Sequence, residues 1–195
     1  MSDDSYVAIA EGAELRQKIE RSDFLGIAFA VKSEEQFFAE LQRIEKKHFD
    51  ATHHCWAFRL RDRARSSDAG EPSGTAGKPI LTAIEGASLR EAAVVVVRWY
   101  GGVKLGTGGL SRAYRETAAG ALRLVKTVER FDYVEFRVVV PFDRMSHAFR
   151  LADPPHVLLA GESYAEENEF TFRVRRGMAE EFGKRLTELR LSFRA

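Results

Sequence analysis

Residues 92–98 read Ala-Ala-Val-Val-Val-Val-Arg, an apolar run that never alternates. A strand with one wet face alternates apolar and polar side chains, so this run fits a central strand covered on at least one face. It leads directly into a glycine-rich segment, Arg98-Trp99-Tyr100-Gly101-Gly102-Val103-Lys104-Leu105-Gly106-Thr107-Gly108-Gly109. The next stretch, 107–126, is the clearest helix of the chain. Leu110, Ala113, Tyr114, Thr117, Ala118, Ala121, Leu122 and Val125 recur at spacings of three and four, with Arg112, Arg115, Arg123 and Lys126 on the other face.

Upstream, residues 24–29 read as a strand, and Ser33-Glu34-Glu35-Gln36 is a capping box that opens a helix with Phe37, Leu41, Ile44 and His48 on one stripe. Residues 53–60 form a further strand. The segment 61–78 is expected to be a structureless connection, longer than the roughly 12–15 residues at which loops become unusual. Pro79 fits the first position of a short helix through Glu85.

Beyond the long helix the pattern changes. Val134, Phe136, Val138 and Val140 alternate as a half-buried strand should, and Pro141 ends the ladder. Asp143 is placed to cap a helix carrying Met145, Ala148, Phe149 and Ala152. Strands over 157–164 and 170–174 follow, joined by the turn Glu166-Glu167-Asn168, then a helix with Met178, Phe182, Leu186 and Leu189 on one side and a short final strand. This order, βαββαβ, is the ferredoxin-like arrangement. The expected division is residues 1–126 and 128–195, and the fold class is α+β.

Charge limits what such a chain can bind. Lys plus Arg number 30 against 29 Asp plus Glu, a net charge of +1. Residues 1–126 carry 19 basic and 17 acidic side chains, and residues 127–195 carry 11 and 12. Neither part is a basic domain, so any polyanion must be held by a local cluster. No apolar run approaches the roughly 20 residues of a membrane-spanning helix. The first residues, MSDDSYVAIAEG, show no basic region followed by an apolar one, and a cytoplasmic location is expected. The single cysteine, Cys55, excludes an intramolecular disulfide and a cysteine-rich zinc module. No metal and no cofactor is expected.

Two glycine-rich segments concentrate the candidate chemistry. In Gly70-Glu71-Pro72-Ser73-Gly74-Thr75-Ala76-Gly77-Lys78-Pro79, residues 75–78 are expected to present backbone amides at a helix start. In the second segment Gly101, Gly102, Gly106, Gly108 and Gly109 allow positive φ and close approach of main chain to a ligand, with Lys104 and Arg112 adding charge. The competing explanation is that the glycines serve tight turns and backbone packing. Neither a Walker A ending nor the dinucleotide spacing is present. Glu71 is the one acid of the first loop and a candidate general base. In Thr52-His53-His54-Cys55-Trp56-Ala57-Phe58, a strand divides His53 and Cys55 from His54, Trp56 and Phe58, which favours a structural thiol over a nucleophile or metal ligand. Arg63, Arg65, Arg112, Arg115 and Arg123 are candidates for a phosphate-tracking surface or a solvated helix face.

Residues 52–57, 70–79 and 97–110, taken together, resemble the IMPACT family, and within it the two-domain bacterial YigZ-type branch. The resemblance implies an N-terminal domain of the fold shared with GHMP kinases, a ribosomal small-subunit protein domain and domain four of elongation factor G. It also implies a ferredoxin-like C-terminal part similar to domain five of that factor. Eukaryotic relatives modulate translational control by competing for an activator of an initiation-factor kinase. The family pattern usually has two acids before the first loop's glycine; here Asp68-Ala69 keeps one.

The leading expectation is a non-catalytic regulator of translation that binds an anionic ligand, RNA, the ribosome or a translation-associated protein. Its site would be Glu71, Ser73, Gly74, Thr75, Gly77, Lys78, Arg98, Gly101, Gly102, Lys104, Gly106, Thr107, Gly108, Gly109 and Arg112. The alternative is an enzyme acting on a small phosphorylated or nucleotide substrate with Glu71 or Cys55 as the functional group. A protein-interaction module is a third class.

Overall fold

The computed structural model describes residues 4–164 and 167–195. Its strands are β1 (Ser5–Glu11), β2 (Ala13–Ile19), β3 (Ser22–Ala30), β4 (His53–Arg59), β5 (Ala64–Ser67), β6 (Ala92–Trp99), β7 (Lys126–Phe131), β8 (Tyr133–Val139), β9 (Val157–Tyr164), β10 (Asn168–Arg175) and β11 (Ser192–Arg194). The helices are α1 (Glu34–Lys47), α2 (Gly77–Gly86), α3 (Gly106–Leu124), α4 (Met145–Phe149) and α5 (Ala179–Glu188). The chain divides into Val7–Glu129 and a second unit made of residues 4–6 with Arg130–Ala195. The mixed elements confirm an α+β fold.

The first unit is built on the five-stranded sheet β2-β3-β6-β4-β5, in which every neighbouring pair is antiparallel. The valine strand β6 lies at its centre and is covered on both faces, so all four valines are fully buried. Val94 and Val96 join Phe24, Cys55 and Ala57 in the core beneath α2 and α3, with Tyr114, Ala118 and Ile80. Val95 and Val97 join Leu25, Ile27, Trp56 and Phe58 beneath α1. Burial on both faces removes the need for alternation, which explains the unbroken run. The division of residues 53–58 between the faces follows the two-residue period of a strand.

Helix α1 starts where the capping box places it. Gln36 N–H donates to Ser33 Oγ at 3.2 Å, and the Gln36 side-chain oxygen accepts from the Lys32 amide at 2.9 Å. Its stripe of Phe37, Leu41 and Ile44 is buried. The Phe37 ring meets Trp56 at 4.9 Å and Phe58 at 4.8 Å between centroids.

Three expectations need correction here. The connection 61–78 contains β5, a four-residue edge strand on β4; its side chains are an alanine and three polar ones, mostly exposed, and only the backbone ladder marks it. Pro79 is the third residue of α2, not the first. A proline is tolerated there because the first four amides of a helix have no partner within it. Lys126 leaves the long helix and begins β7, which pairs with β1.

In the second unit the sheet order β11-β8-β10-β9 with antiparallel neighbours is that of a βαββαβ ferredoxin-like arrangement. Phe136, Val138, Phe170, Phe172, Phe182 and Leu186 form its core. Asp143 falls inside a short 3₁₀ turn, Phe142–Arg144, and caps nothing. The turn expected at Glu166 begins outside the described residues. Asp4 is buried in this unit: Arg175 Nη2 donates to its Oδ1 at 2.8 Å, and Gly177 N–H donates to its Oδ2 at 3.1 Å.

Replacing Phe37 with Ala removes the aromatic centre of the α1 layer. Such a truncation costs about 3–5 kcal/mol, read as a lower urea midpoint; a shift under 1 kcal/mol contradicts the packing described.

Candidate functional site

The first glycine-rich loop already holds an anion, and that anion belongs to the chain. The Asp68 carboxylate accepts from Gly74 N–H at 2.8 Å through Oδ2, and from Ala76 and Gly77 N–H at 2.9 and 2.8 Å through Oδ1. Thr75 N–H donates to the Pro72 carbonyl at 3.1 Å, and its hydroxyl to the same oxygen at 2.6 Å. The expectation that residues 75–78 present open amides is therefore corrected at Thr75, Ala76 and Gly77. Burial works against the Asp68 charge, but the three amides outweigh it and hold the carboxyl below the usual range. Gly77 has a packing reason: a Cβ there would sit 2.7 Å from the Ser67 backbone.

Glu71 lies deeper, in a buried polar cluster. Arg98 Nη1 donates to Glu71 Oε1 at 2.6 Å, and the Tyr114 hydroxyl donates to the same oxygen at 2.7 Å. The two charged side chains are 5% and 3% exposed. Arg98 also donates from Nη2 to Ser22 Oγ at 3.2 Å, and its guanidinium lies over the rings of Phe24 and Tyr100 at 5.4 and 5.3 Å. His53 Nε2 is 3.9 Å from Glu71 Oε1, while His53 Nδ1 is 3.0 Å from the Ala69 carbonyl. The Tyr114 phenol is held well above its ordinary value, chiefly by burial, so it stays a donor. Glu71 is thus the counter-ion of a buried arginine. One Arg98 atom, Nε, is buried with no hydrogen-bond partner among the described residues.

Cys55 is fully buried and donates from Sγ to the Asp68 carbonyl at 2.9 Å. Burial pushes its thiol up to about 12, a shift that a hydrogen bond with Tyr114 offsets only in part. At neutral pH it is not a thiolate nucleophile. His54 turns to the other face of β4, its Nε2 3.1 Å from the His48 carbonyl. Among the described residues no three His, Cys, Asp or Glu side chains are grouped to hold a metal ion.

The second glycine-rich segment is anchored by Gly101, where a Cβ would fall 1.7 Å from the Arg21 carbonyl oxygen. Gly108 differs, having neither a positive φ nor any atom within 4 Å of an added Cβ. The segment ends in α3, whose N-cap is Leu105 with no side-chain cap. Alone among the three helix starts of this unit, that of α3 receives no side-chain oxygen from the described residues. It borders a cleft of about 360 Å³ that Glu71 and Pro72 line from the first loop and Arg98, Lys104, Gly106 and Thr107 from the second. The two loops therefore converge.

They do not bring every expected residue together. Gly74, Lys78 and Arg112 line a separate cleft of about 310 Å³ with Thr82, Ser111 and Arg115. Ser73, Gly102, Gly108 and Gly109 border neither, and Thr75 and Gly77 are buried. Arg63 and Arg65, the other candidates for a phosphate-tracking surface, both pair with Glu34. Asp68, Tyr114 and Ser22 are the site residues that sequence reasoning missed. Tyr114 sits on the apolar stripe of its helix, and Asp68 reaches amides six to nine residues ahead, too far for a local capping pattern.

These features define a two-unit α+β protein whose first unit folds two glycine-rich loops around a buried Glu–Arg pair. Residues 20–122 match the family model described as the Impact N-terminal domain. The chain is 43% identical over 157 residues to the "IMPACT family member in pol 5'region" of Thermus thermophilus, covering 80% of this chain and 86% of that one. It is 32% identical over 188 residues to "IMPACT family member YvyE" of Bacillus subtilis, covering 95% and 87%. A solved structure titled "Crystal structure of an hypothetical protein" superposes with a TM-score of 0.77 at 28% identity, over 98% of this chain and 97% of that one. The chain belongs to the IMPACT family.

Two measurements check the cluster. Glu71→Gln leaves Arg98 buried without its counter-charge, which costs about 3–5 kcal/mol of stability in urea unfolding; an unchanged midpoint contradicts the pairing. Cys55 resists iodoacetamide in the native protein at pH 8 and reacts in denaturant, as a thiol that ionises near 12 requires; equal rates in both conditions would show an accessible thiolate.

Proposed function

We propose that this chain is a non-catalytic IMPACT-family protein that acts in translation by gripping an anionic group, a phosphate of RNA or of a translation-associated partner, at the start of α3. One observation carries the reading: the α3 start receives no side-chain cap and borders a cleft with Lys104, Thr107 and Arg98, while the α2 start is occupied by Asp68. Free amides at the start of a 19-residue helix favour negative charge, and Lys104 adds a full positive one. The translational setting comes from the family resemblance, whose eukaryotic members act on translational control. The reading places the protein in the cytoplasm, a reducing compartment in keeping with one unpaired cysteine.

The enzyme alternative is disfavoured by the same geometry. Glu71 Oε1 already accepts from Arg98 and Tyr114, and the Cys55 thiol is protonated at working pH.

Differential scanning fluorimetry and calorimetric titration with inorganic pyrophosphate test the proposal. At a ligand concentration one hundred times Kd, binding adds about 2.7 kcal/mol to the wild type, and Lys104→Ala/Thr107→Ala loses that gain while Arg112→Ala keeps it. Identical shifts in wild type and the Lys104→Ala/Thr107→Ala variant would sink the reading. Turnover of a nucleotide or sugar-phosphate panel that Glu71→Gln abolishes would replace it with the enzyme.

A further inference from the structure

We infer that α2 and α3 carry a second, extended site: a groove that receives the phosphodiester backbone of a nucleic-acid duplex. The cleft of about 310 Å³ beside Lys78, Arg112 and Arg115 runs into a neighbouring one of about 430 Å³, since both include Thr82 and Arg115. The second is floored by small and apolar side chains, among them Ala83, Ala87, Ala119 and Leu122, and ends at Arg123. On α3 the residues 112, 115, 119, 122 and 123 follow helical spacing and so share one face. From Arg112 to Arg123 that face extends about 16 Å at ~1.5 Å per residue, roughly the axial length of five nucleotides at ~3.4 Å each.

The groove gathers open positive charge along one line. Several other exposed cations of this unit have carboxylate partners: Arg16 with Asp23, Arg43 with Glu40, Lys47 with Glu14, Arg63 and Arg65 with Glu34, and Lys126 with Glu11. Lys78, Arg112, Arg115 and Arg123 are exposed, and none has an ion pair or a side-chain hydrogen bond among the described residues. No carboxylate lines either cleft. Four unneutralised cations along one groove, in a chain whose net charge is +1, are complementary to a run of phosphates.

The lining also selects among nucleic acids. Single strands are held by aromatic platforms on which bases stack, and no aromatic side chain lines the groove. A duplex presents ridges of phosphate and needs only cations, a few hydroxyl donors and a shallow floor. Thr82 and Ser111 supply the hydroxyls, and the alanines with Gly86 keep the floor low. RNA and DNA duplexes share this chemistry. The groove uses no atom of the α3 start, so the two sites can be tested apart.

The experiment is fluorescence anisotropy of the full chain with a 16-base-pair RNA duplex, a DNA duplex of the same sequence and the separated strands, between about 25 and 200 mM KCl. Four phosphate contacts give a slope of log K against log salt of about −3.6, at ~0.9 per contact. Arg112→Ala/Arg115→Ala should lower that slope to about −1.8 and weaken binding at least tenfold at 50 mM salt. Arg112→Lys/Arg115→Lys should restore the slope, and Arg43→Ala on α1 should leave it unchanged. Both arginines are exposed and unpartnered, so melting temperatures should match the wild type and exclude unfolding as the cause. Tighter binding to one duplex names the source. An unchanged slope in the Ala variant, single strands binding as tightly as duplexes, or no duplex binding at low salt overturns the inference. If Lys104→Ala/Thr107→Ala abolishes duplex binding and the Arg112→Ala/Arg115→Ala variant does not, the groove fails while the α3-start reading stands.

Discussion

The buried pair of Arg98 and Glu71 is the interaction on which the first unit's geometry turns. The penultimate residue of strand β6 is an arginine whose side chain is almost wholly withdrawn from water, and a guanidinium in that position needs a carboxylate nearby. Glu71 supplies it from the loop that follows β5. Tyr114 of α3 donates to Glu71, and Ser22 of β3 accepts from Arg98. Four separate segments are thereby fixed to one charge centre, and the convergence of the two glycine-rich loops follows from it. A buried ion pair adds little net stability against apolar packing, but it specifies position. Here it decides where the start of α3 can lie.

The three helix starts of this unit show the same physical need met in different ways. α1 takes a local serine, Ser33. α2 takes a carboxylate from outside the helix, Asp68, held by three amides. α3 has glycines and no cap. The glycines themselves divide by cause: Gly77 and Gly101 are dictated by neighbouring backbone, whereas nothing within the chain crowds Gly108. The packing explanation and the ligand explanation for glycine-rich loops therefore both hold, at different residues.

Much of this architecture was legible in the sequence because the signals were local. The Ser33 cap, the Phe37-Leu41-Ile44 stripe, the valine strand and the periodicity of α3 depend on neighbours within a few positions. β5 was not legible, since an alanine and three polar residues on a sheet edge carry no hydrophobic pattern. The role of Glu71 was hidden for a different reason. A lone acid in a loop reads as a candidate base until its partner, 27 positions away, is seen beside it. Asp68 was overlooked because its three amides lie beyond the reach of a capping pattern. The site residues were found largely by glycine and charge, which mark loops well and do not report which cations are already neutralised; Arg63 and Arg65 show the cost.

Asp4 gives the molecule an order of assembly. It is buried in the second unit against Arg175, 171 positions away. At synthesis rates of about 5–20 residues per second, roughly 9–34 s pass between the emergence of the two partners. During that interval Val7–Glu129 gains all the strands of its own sheet and β1 gains its partner β7, while the arginine of the Asp4 ion pair has yet to be made. Asp4 and Arg175 can meet only after β10 is made, so the second unit joins a segment translated early to strands translated late.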